Sequence, residues 1–356
     1  MTTQKNAGIL SLGGKRLSYA LTLMLTLAAM LLPSSAKADE AWAEYNSGTK
    51  TLTFKYGAEK PSGSGTVTVY DLNGDYESPG WNSHTCTKVV FDESFSKARP
   101  ITCYEWFSGQ SSLTSIEGME YLNTEEVTSM TKMFYGCSAL KSIDLSHFNT
   151  ANVTSMSNMF TACGALESLD LSSFNTDNVS EMTAMFSRCR ALKSLDVSSF
   201  NTSSVTDMWY MFCHCQGLTE LNVLNFNTAN VEDMSNMFEG CTGLTTLDLS
   251  NFNTANVTCM DSMFCKSTAL TTIYVSNKFV TTNVESSEVM FLDCTSLAGA
   301  NKIYEANSTD ADMANYTDGY FTYKEYSLKE AWASMTATLR RSPSSTERTS
   351  PRAATT

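Results

Sequence analysis

A repeat in the middle of the chain constrains the fold more than any other feature. A Met-Phe pair recurs with a constant step of 26 residues, beginning at Met133, Met159, Met185, Met211, Met237 and Met263. Similar pairs stand 27 residues outside this array, at Trp106-Phe107 and at Met290-Phe291. A unit this short cannot bury its apolar face alone, so its stability must come from stacking on the next unit. The sequence therefore predicts a solenoid with irregular units as caps at both ends.

Each unit contains two apolar periods. One set of residues has the i, i+3, i+4, i+7 spacing of a helical face, as in Met156, Met159, Phe160 and Cys163. Shortly afterwards, Leu169-Asp170-Leu171 alternates apolar and polar residues, as a strand with one buried face does. The sequence therefore predicts an α/β fold in which every unit adds one short helix and one short parallel strand.

Stacking places identical side chains in ladders, about 4.8 Å apart along the array. One ladder is cysteine, with Ser267 in a single unit: Cys137, Cys163, Cys189, Cys215, Cys241 and Cys294. Another is asparagine, each followed by threonine: Asn149, Asn175, Asn201, Asn227 and Asn253. We interpret the cysteines as free thiols of the core and the asparagines as turn residues that bond backbone groups.

Two cysteines stand outside the regular repeats. Cys86 and Cys103 both lie in the N-terminal region. Because exported chains keep disulfides, this pair is the disulfide candidate, with two free thiols as the alternative.

The triplet Cys213-His214-Cys215 has the residue types of a metal site. Alternate side chains diverge, Cys215 belongs to the cysteine ladder, and the sequence indicates no fourth ligand. We therefore expect neither a metal nor a cofactor.

The N-terminus indicates export. Lys5, Lys15 and Arg16 precede an uncharged apolar run over 17–32, which is followed by the small-x-small triplet Ala36-Lys37-Ala38. These features predict a secretory signal peptide over residues 1–38, cleaved near Ala38. The run is shorter than the roughly 20 residues that span a bilayer. We expect a secreted or surface-displayed chain with no transmembrane span after cleavage.

Charge and histidine content exclude two classes of function. The formal net charge of −13 makes nucleic acid an unfavourable partner. The three histidines, His84, His147 and His214, have no nucleophile and acid paired with them in the sequence. A repeat also places identical side chains next to one another, whereas a catalytic centre needs side chains of different types to converge. We therefore expect that the protein is not an enzyme.

Composition divides the chain into five segments. Behind the signal peptide, residues 39–105 contain strand-like runs at 52–56, 67–70 and 89–91, and are predicted to form a β module that caps the repeats. The solenoid is expected over 106–297, a C-terminal cap over 298–326, and a tail over 327–356.

The tail is basic and rich in Ser, Thr and Arg. Read from the third base of the Ser334 codon, with wobble bases chosen freely, it can encode a string whose last nine residues are identical to Thr49 through Gly57. We hypothesise an out-of-frame reading of a second copy of the N-terminal module, and we expect it to be disordered.

The full repeat resembles a known family. Leu-x-x-Leu-Asp-Leu-Ser-x-Phe-Asn-Thr-x-Asn-Val-Thr-x-Met-x-x-Met-Phe-x-x-Cys is similar to the repeat of BspA-like leucine-rich-repeat surface proteins of bacteria, over roughly residues 88–325. The resemblance implies a right-handed leucine-rich-repeat-like solenoid displayed outside the cell. It also implies adhesion to host matrix or plasma proteins, such as fibronectin and fibrinogen, or to other bacterial surface proteins. A structural, self-associating surface rod is the alternative.

One unit departs from the consensus in a way that suggests a binding site. The two residues between the repeat methionines are mostly small and polar, but here they are Trp209-Tyr210. Arg188, Arg190 and His214 occupy equivalent or nearby positions on adjacent units. Because Trp, Tyr and Arg are enriched among binding hot spots, these five residues are the predicted partner-binding site. The alternative is that Trp209 only packs over a neighbouring unit.

Overall fold

The computed structural model describes residues 38–72 and 77–327. The predicted signal peptide and the tail lie outside this part of the chain, except for Ala38 and Ser327. Within it, no helix is long and apolar enough to cross a membrane. Residues 38–40 and 57–60 group as a small unit, in which Lys60 Nζ lies 3.8 Å from Glu40 Oε2. The other described residues form the unit that contains the repeats.

The N-terminal region is built on a five-stranded sheet in the order β3-β1-β2-β4-β5. Its strands are β1 (Glu40–Asn46), β2 (Thr51–Gly57), β3 (Val67–Asp71), β4 (Lys88–Phe91) and β5 (Ser115–Glu117). All three strand-like runs of the sequence fall in this sheet, as β2, β3 and β4. β1 and β3 are antiparallel, whereas β2, β4 and β5 run parallel.

An aromatic core joins this sheet to the first repeat unit. The Phe54 ring stacks on Phe91 with centroids 4.7 Å apart, and on Trp106 at 5.1 Å. Trp81 is buried against the same rings and donates its indole N–H to the Trp106 carbonyl at 2.6 Å. Trp106 belongs to the first, irregular unit, so the β module covers one end of the repeat core.

Short parallel strands connect the later units. They are β6 (Ser194–Leu195), β7 (Glu220–Leu221), β8 (Thr246–Leu249), β9 (Thr272–Val275) and β10 (Phe321–Tyr323). β8 pairs with β9 at a shift of one unit, Leu247 opposite Ile273, and β10 of the C-terminal cap adds to the far side of β9. The equivalent residues 141–145 and 167–171 form no regular strand. The predicted strand is therefore confirmed in the later units, but it is wrong for Leu169-Asp170-Leu171 and for the unit before, where the chain lacks regular strand pairing.

The predicted helix of each unit is wrong. The only helices in the described residues are short 3₁₀ helices outside the Met-Phe segments, at Gly80–Ser83, Glu93–Lys97, Met119–Tyr121 and Ala311–Met313. The stretch from the first repeat methionine to the cysteine, 130–137 in the first regular unit, is a run of tight turns that we call the turn segment.

Hydrogen bonds between units replace the helical ones. Alternate N–H groups donate to carbonyls of the next unit, as Met130 does to Ser155 and Phe134 to Met159, both at 2.9 Å. The intervening N–H groups bond three residues back, as from Cys137 to Phe134 at 3.1 Å. Each turn segment also has two residues of positive φ, four apart, which an α-helix cannot accommodate.

The turn segments still bury the expected apolar face, because successive tight turns nearly share the helical period. A phenylalanine column runs through the core with adjacent centroids 5.5 to 6.0 Å apart. Its members are Phe107, Phe134, Phe160, Phe186, Phe212, Phe238, Phe264 and Phe291. Isolated parallel bridges beside it join Ser129, Ser155, Glu181, Asp207, Asp233, Cys259 and Ser286 in succession.

Candidate functional site

The repeat cysteines are buried and directed at the preceding unit. Each thiol donates to the carbonyl oxygen of the phenylalanine there: Cys163 Sγ to Phe134 at 3.1 Å, and Cys189 Sγ to Phe160 at 3.2 Å. Ser267 Oγ makes the same bond at 2.8 Å. The one substitution in this ladder therefore preserves a donor, and burial raises the pKa of Cys163 to about 12.

The Asn-Thr pairs interlock successive units. Asn201 donates its backbone N–H to Thr176 Oγ1 of the preceding unit at 2.7 Å, and that hydroxyl donates to the Asn201 carbonyl at 3.1 Å. The Asn201 side-chain oxygen accepts the Ser203 N–H at 3.1 Å and closes the turn. Asn149, Asn175, Asn227 and Asn253 make the equivalent backbone bonds to the threonine of the preceding unit.

The candidate disulfide between Cys86 and Cys103 is absent. Both are buried free thiols. Cys103 stands 27 residues before Met130, so it takes the place of the first repeat methionine. Cys86 instead donates its N–H to the side-chain oxygen of Gln110, which stands at the cysteine position of the same irregular unit. The two thiols thus belong to different columns of the core.

Trp209 and Tyr210 form an aromatic pair on the turn segment of their unit. Trp209 is 44% exposed, and its ring centroid lies 4.6 Å from that of Tyr210 in an edge-to-face arrangement. Their backbone is bonded on both sides, because Ala184 donates to the Trp209 carbonyl at 2.8 Å and Tyr210 donates to the Ser235 carbonyl at 3.0 Å. Tyr210 has a φ of 58°, which an aromatic residue seldom adopts.

Electrostatic interactions connect the other three residues of the predicted binding site to Tyr210 or to one another. Burial raises the pKa of Tyr210. The charges of Cys213 and Glu239 raise this pKa further, and the Arg188 guanidinium lowers it. Burial lowers the pKa of His214, and the nearby Arg188 and Arg190 lower it further. The Glu239 carboxylate acts in the opposite direction. Arg188 thus interacts with both Tyr210 and His214, and Arg190 interacts with His214. We call Trp209, Tyr210, Arg188, Arg190 and His214 the Trp209 patch.

The patch adjoins the half-buried carboxylate of Glu239, which no motif of contiguous residues marks. Glu239 Oε1 lies 3.8 Å from both His214 Nε2 and Lys266 Nζ, and Glu239 Oε2 accepts a 2.9 Å bond from the Asn236 amide. Cys213 Sγ lies 3.6 Å from Oε2, and burial together with the Glu239 charge raises the pKa of this thiol well above its usual range. Glu239 stands one unit after Cys213, at the same repeat position, and only the register of the units shows that they meet.

This geometry changes the assessment of the Cys-His-Cys triplet. Cys215 is turned into the core, where its thiol donates to the Phe186 carbonyl at 3.0 Å, as the ladder predicts. Glu239 takes its place: one ligand atom each from Cys213, His214 and Glu239 lies within 4.8 Å of the other two. We call these three residues the Cys213 cluster.

Neither of the other histidines lies in a catalytic arrangement. His147 Nδ1 lies 3.0 Å from Ser146 Oγ, but the two are neighbours in an exposed turn, and Asp144 accepts the Ser146 backbone N–H instead of orienting the imidazole. His84 bonds Tyr70 and stacks on the Tyr45 ring at 4.3 Å.

Comparison with known proteins gives one family match. The family model described as "Mycoplasma protein of unknown function, DUF285" matches residues 101–220 and again 182–304, together more than half of the chain. No curated protein matches. A solved structure, a leucine-rich repeat protein from Bacteroides ovatus ATCC 8483, is 15% identical, with 75% of this chain and 82% of that chain covered. Its TM-score of 0.32 is too low to carry an argument about fold or function.

Proposed function

The chain belongs to the family described as Mycoplasma protein of unknown function, DUF285. We propose that it is a secreted or surface-displayed bacterial repeat protein that binds other proteins through the Trp209 patch, without enzymatic activity. Its partners are host matrix or plasma proteins, or surface proteins of other bacteria.

The architecture proposed for this role is a right-handed, leucine-rich-repeat-like solenoid of the BspA-like kind. Parallel pairing at a constant shift of one unit supports it, as between Leu247 and Ile273 and along the bridges from Ser129 to Ser286. Such an array offers an extended surface on which a few departures from the consensus can specify a partner. Export is supported by the N-terminal sequence pattern alone.

The observation that carries the proposal is the exposure of Trp209. The equivalent positions of the other regular units hold smaller polar residues, so packing between units does not require an aromatic ring there. These residues are Thr131, Ser157, Thr183, Ser235 and Asp261. Trp209 is instead 44% exposed, while its backbone N–H bonds Asp207 and its carbonyl accepts from Ala184. An aromatic ring held at a fixed position on the surface loses little conformational entropy when a partner covers it.

Charge supports a partner with an acidic contact surface. Arg188 and Arg190 are exposed, and Arg188 interacts electrostatically with Tyr210, on a chain whose formal net charge is −13. A local cationic region on an acidic protein favours encounters in one orientation, and salt weakens that steering. The proposed interface therefore has aromatic anchors with a basic rim.

Binding of the full chain to immobilised fibronectin, fibrinogen, laminin and collagen tests the proposal. We expect saturable binding to at least one of them, and Trp209→Ala should weaken it by about 30-fold, the effect of losing a hot spot of about 2 kcal/mol. Tyr135→Ala is the matched control, since it removes another exposed aromatic residue of a turn segment three units away.

Equal affinity of the parent and Trp209→Ala would contradict the assignment of the site. Failure to bind any of the four proteins, combined with assembly of the chain on its own as its concentration rises, would favour the alternative of a self-associating surface rod.

A further inference from the structure

The Cys213 cluster has the composition and spacing of a transition-metal site. Cys213 Sγ lies 3.6 Å from Glu239 Oε2, and His214 Nε2 lies 3.8 Å from Glu239 Oε1. We propose that these three side chains bind a divalent metal ion of the zinc class. This site shares His214 with the Trp209 patch, but the binding of the ion requires no partner protein.

The separations fit tetrahedral coordination. Bonds of about 2.3 Å to sulfur and about 2.0 Å to nitrogen or oxygen place tetrahedral ligands roughly 3.5 Å apart for a sulfur–oxygen pair and roughly 3.3 Å apart for a nitrogen–oxygen pair. The distance from Cys213 Sγ to Glu239 Oε2, 3.6 Å, matches the first value, and the distance from His214 Nε2 to Glu239 Oε1, 3.8 Å, is about half an ångström longer than the second. To close the site, rotation of the Glu239 carboxylate and the His214 ring has to bring this nitrogen and oxygen together by about half an ångström.

The facing atoms are not committed to strong hydrogen bonds with one another. A separation of 3.8 Å between His214 Nε2 and Glu239 Oε1 is beyond hydrogen-bond length, and the contact from the Cys213 thiol to the carboxylate is that of a weak donor. A metal ion would therefore displace little existing bonding. Its binding would release the thiol proton of Cys213 to solvent.

Gly240 leaves the space that the His214 ring occupies. A Cβ at position 240 would lie 2.7 Å from His214 Cε1 and closer still to Nδ1, so only glycine lets the imidazole lie over the next unit. The His214 N–H also donates to the Glu239 carbonyl at 2.6 Å, which fixes the register of the two turn segments. These contacts hold the histidine ring beside the carboxylate.

The charges and surrounding residues define which ion fits. A thiolate and a carboxylate balance a dication, and the set of one sulfur, one nitrogen and one oxygen favours zinc-like ions over Mg²⁺ or Ca²⁺. Asn236 orients the carboxylate from behind through its 2.9 Å bond. Lys266 opposes a cation, but its side chain is 54% exposed and free to turn toward solvent. Three protein ligands leave a fourth position for water.

Titration of the reduced full chain with Co²⁺ alone, followed by its absorption spectrum, tests this site. We expect one ion per chain, with a sulfur-to-cobalt charge-transfer band and the visible bands of tetrahedral cobalt, and displacement of the cobalt by Zn²⁺. Cys213→Ser should abolish the charge-transfer band, and Glu239→Gln should weaken binding by about 10-fold or more.

Cys265→Ser is the matched control. Cys265 occupies the same repeat position one unit after Glu239 and is buried, yet it is not one of the three converging residues. Its loss should leave the titration unchanged. Absence of stoichiometric Co²⁺ binding would overturn the proposal, as would binding that survives Glu239→Gln undiminished or that requires Cys265. Because Glu239→Gln preserves side-chain shape, it remains informative if Cys213→Ser fails to fold.

Discussion

The repeat cysteine is a buried hydrogen-bond donor, and this role predicts how the protein responds to alkaline pH. Burial raises the pKa of Cys163 and of Cys294 to about 12, whereas a thiol of the unfolded chain titrates near about 8.5. Above that pH the unfolded state loses protons that the folded state keeps. The free energy of unfolding should therefore fall as pH rises from about 8.5, by about 1.4 kcal/mol per pH unit for each such thiol. Urea unfolding at a series of pH values measures it.

Cys163→Ser is the control for that prediction. A serine keeps the donor to the Phe134 carbonyl, as Ser267 does for Phe238, so the variant should fold and lose one thiol's share of the pH dependence. Stability that does not change between about pH 8.5 and about pH 10 would contradict the account.

The turn segment shows what an apolar pattern can and cannot predict. Met156, Met159, Phe160 and Cys163 are all buried, as their spacing indicates. Tight turns of four residues present nearly the same period as a helix, so the spacing alone could not separate the two. The deciding feature is the bonding of alternate N–H groups to the next unit, a contact between residues about 25 positions apart that no local pattern contains.

The Asn-Thr interlock makes a prediction at the same scale. Thr176→Val keeps the shape of the side chain but leaves the N–H and C=O of Asn201 without the hydroxyl that now bonds both. Because Thr176 is buried, the loss should cost about 1 to 3 kcal/mol in the free energy of unfolding. Thr176→Ser retains the hydroxyl and should cost clearly less. Denaturant unfolding of the two variants measures the difference, and equal losses would show that the hydrogen bonds contribute little.

At the scale of the whole molecule, repetition supplies stability and departures from it supply function. The 26-residue step made the stacking and both ladders predictable from sequence. It also contained the information for the Cys213 cluster, since Cys213 and Glu239 occupy the same position in successive units. The triplet pattern instead pointed to Cys215, because adjacency in the chain says nothing about which side chains meet across units.

Deletion of single units separates these two roles. Removing residues 139–164 or residues 191–216 takes out one repeat in register, so each shortened chain should still fold on nearest-neighbour contacts. Only the second deletion removes Trp209, Tyr210, Cys213 and His214.

The most direct measurement is the affinity of these two deletion chains for the immobilised protein that the parent binds. We predict that the chain lacking 139–164 binds as the parent does and that the chain lacking 191–216 folds but does not bind. Undiminished binding by the folded chain without 191–216 would contradict the claim that one unit carries the site.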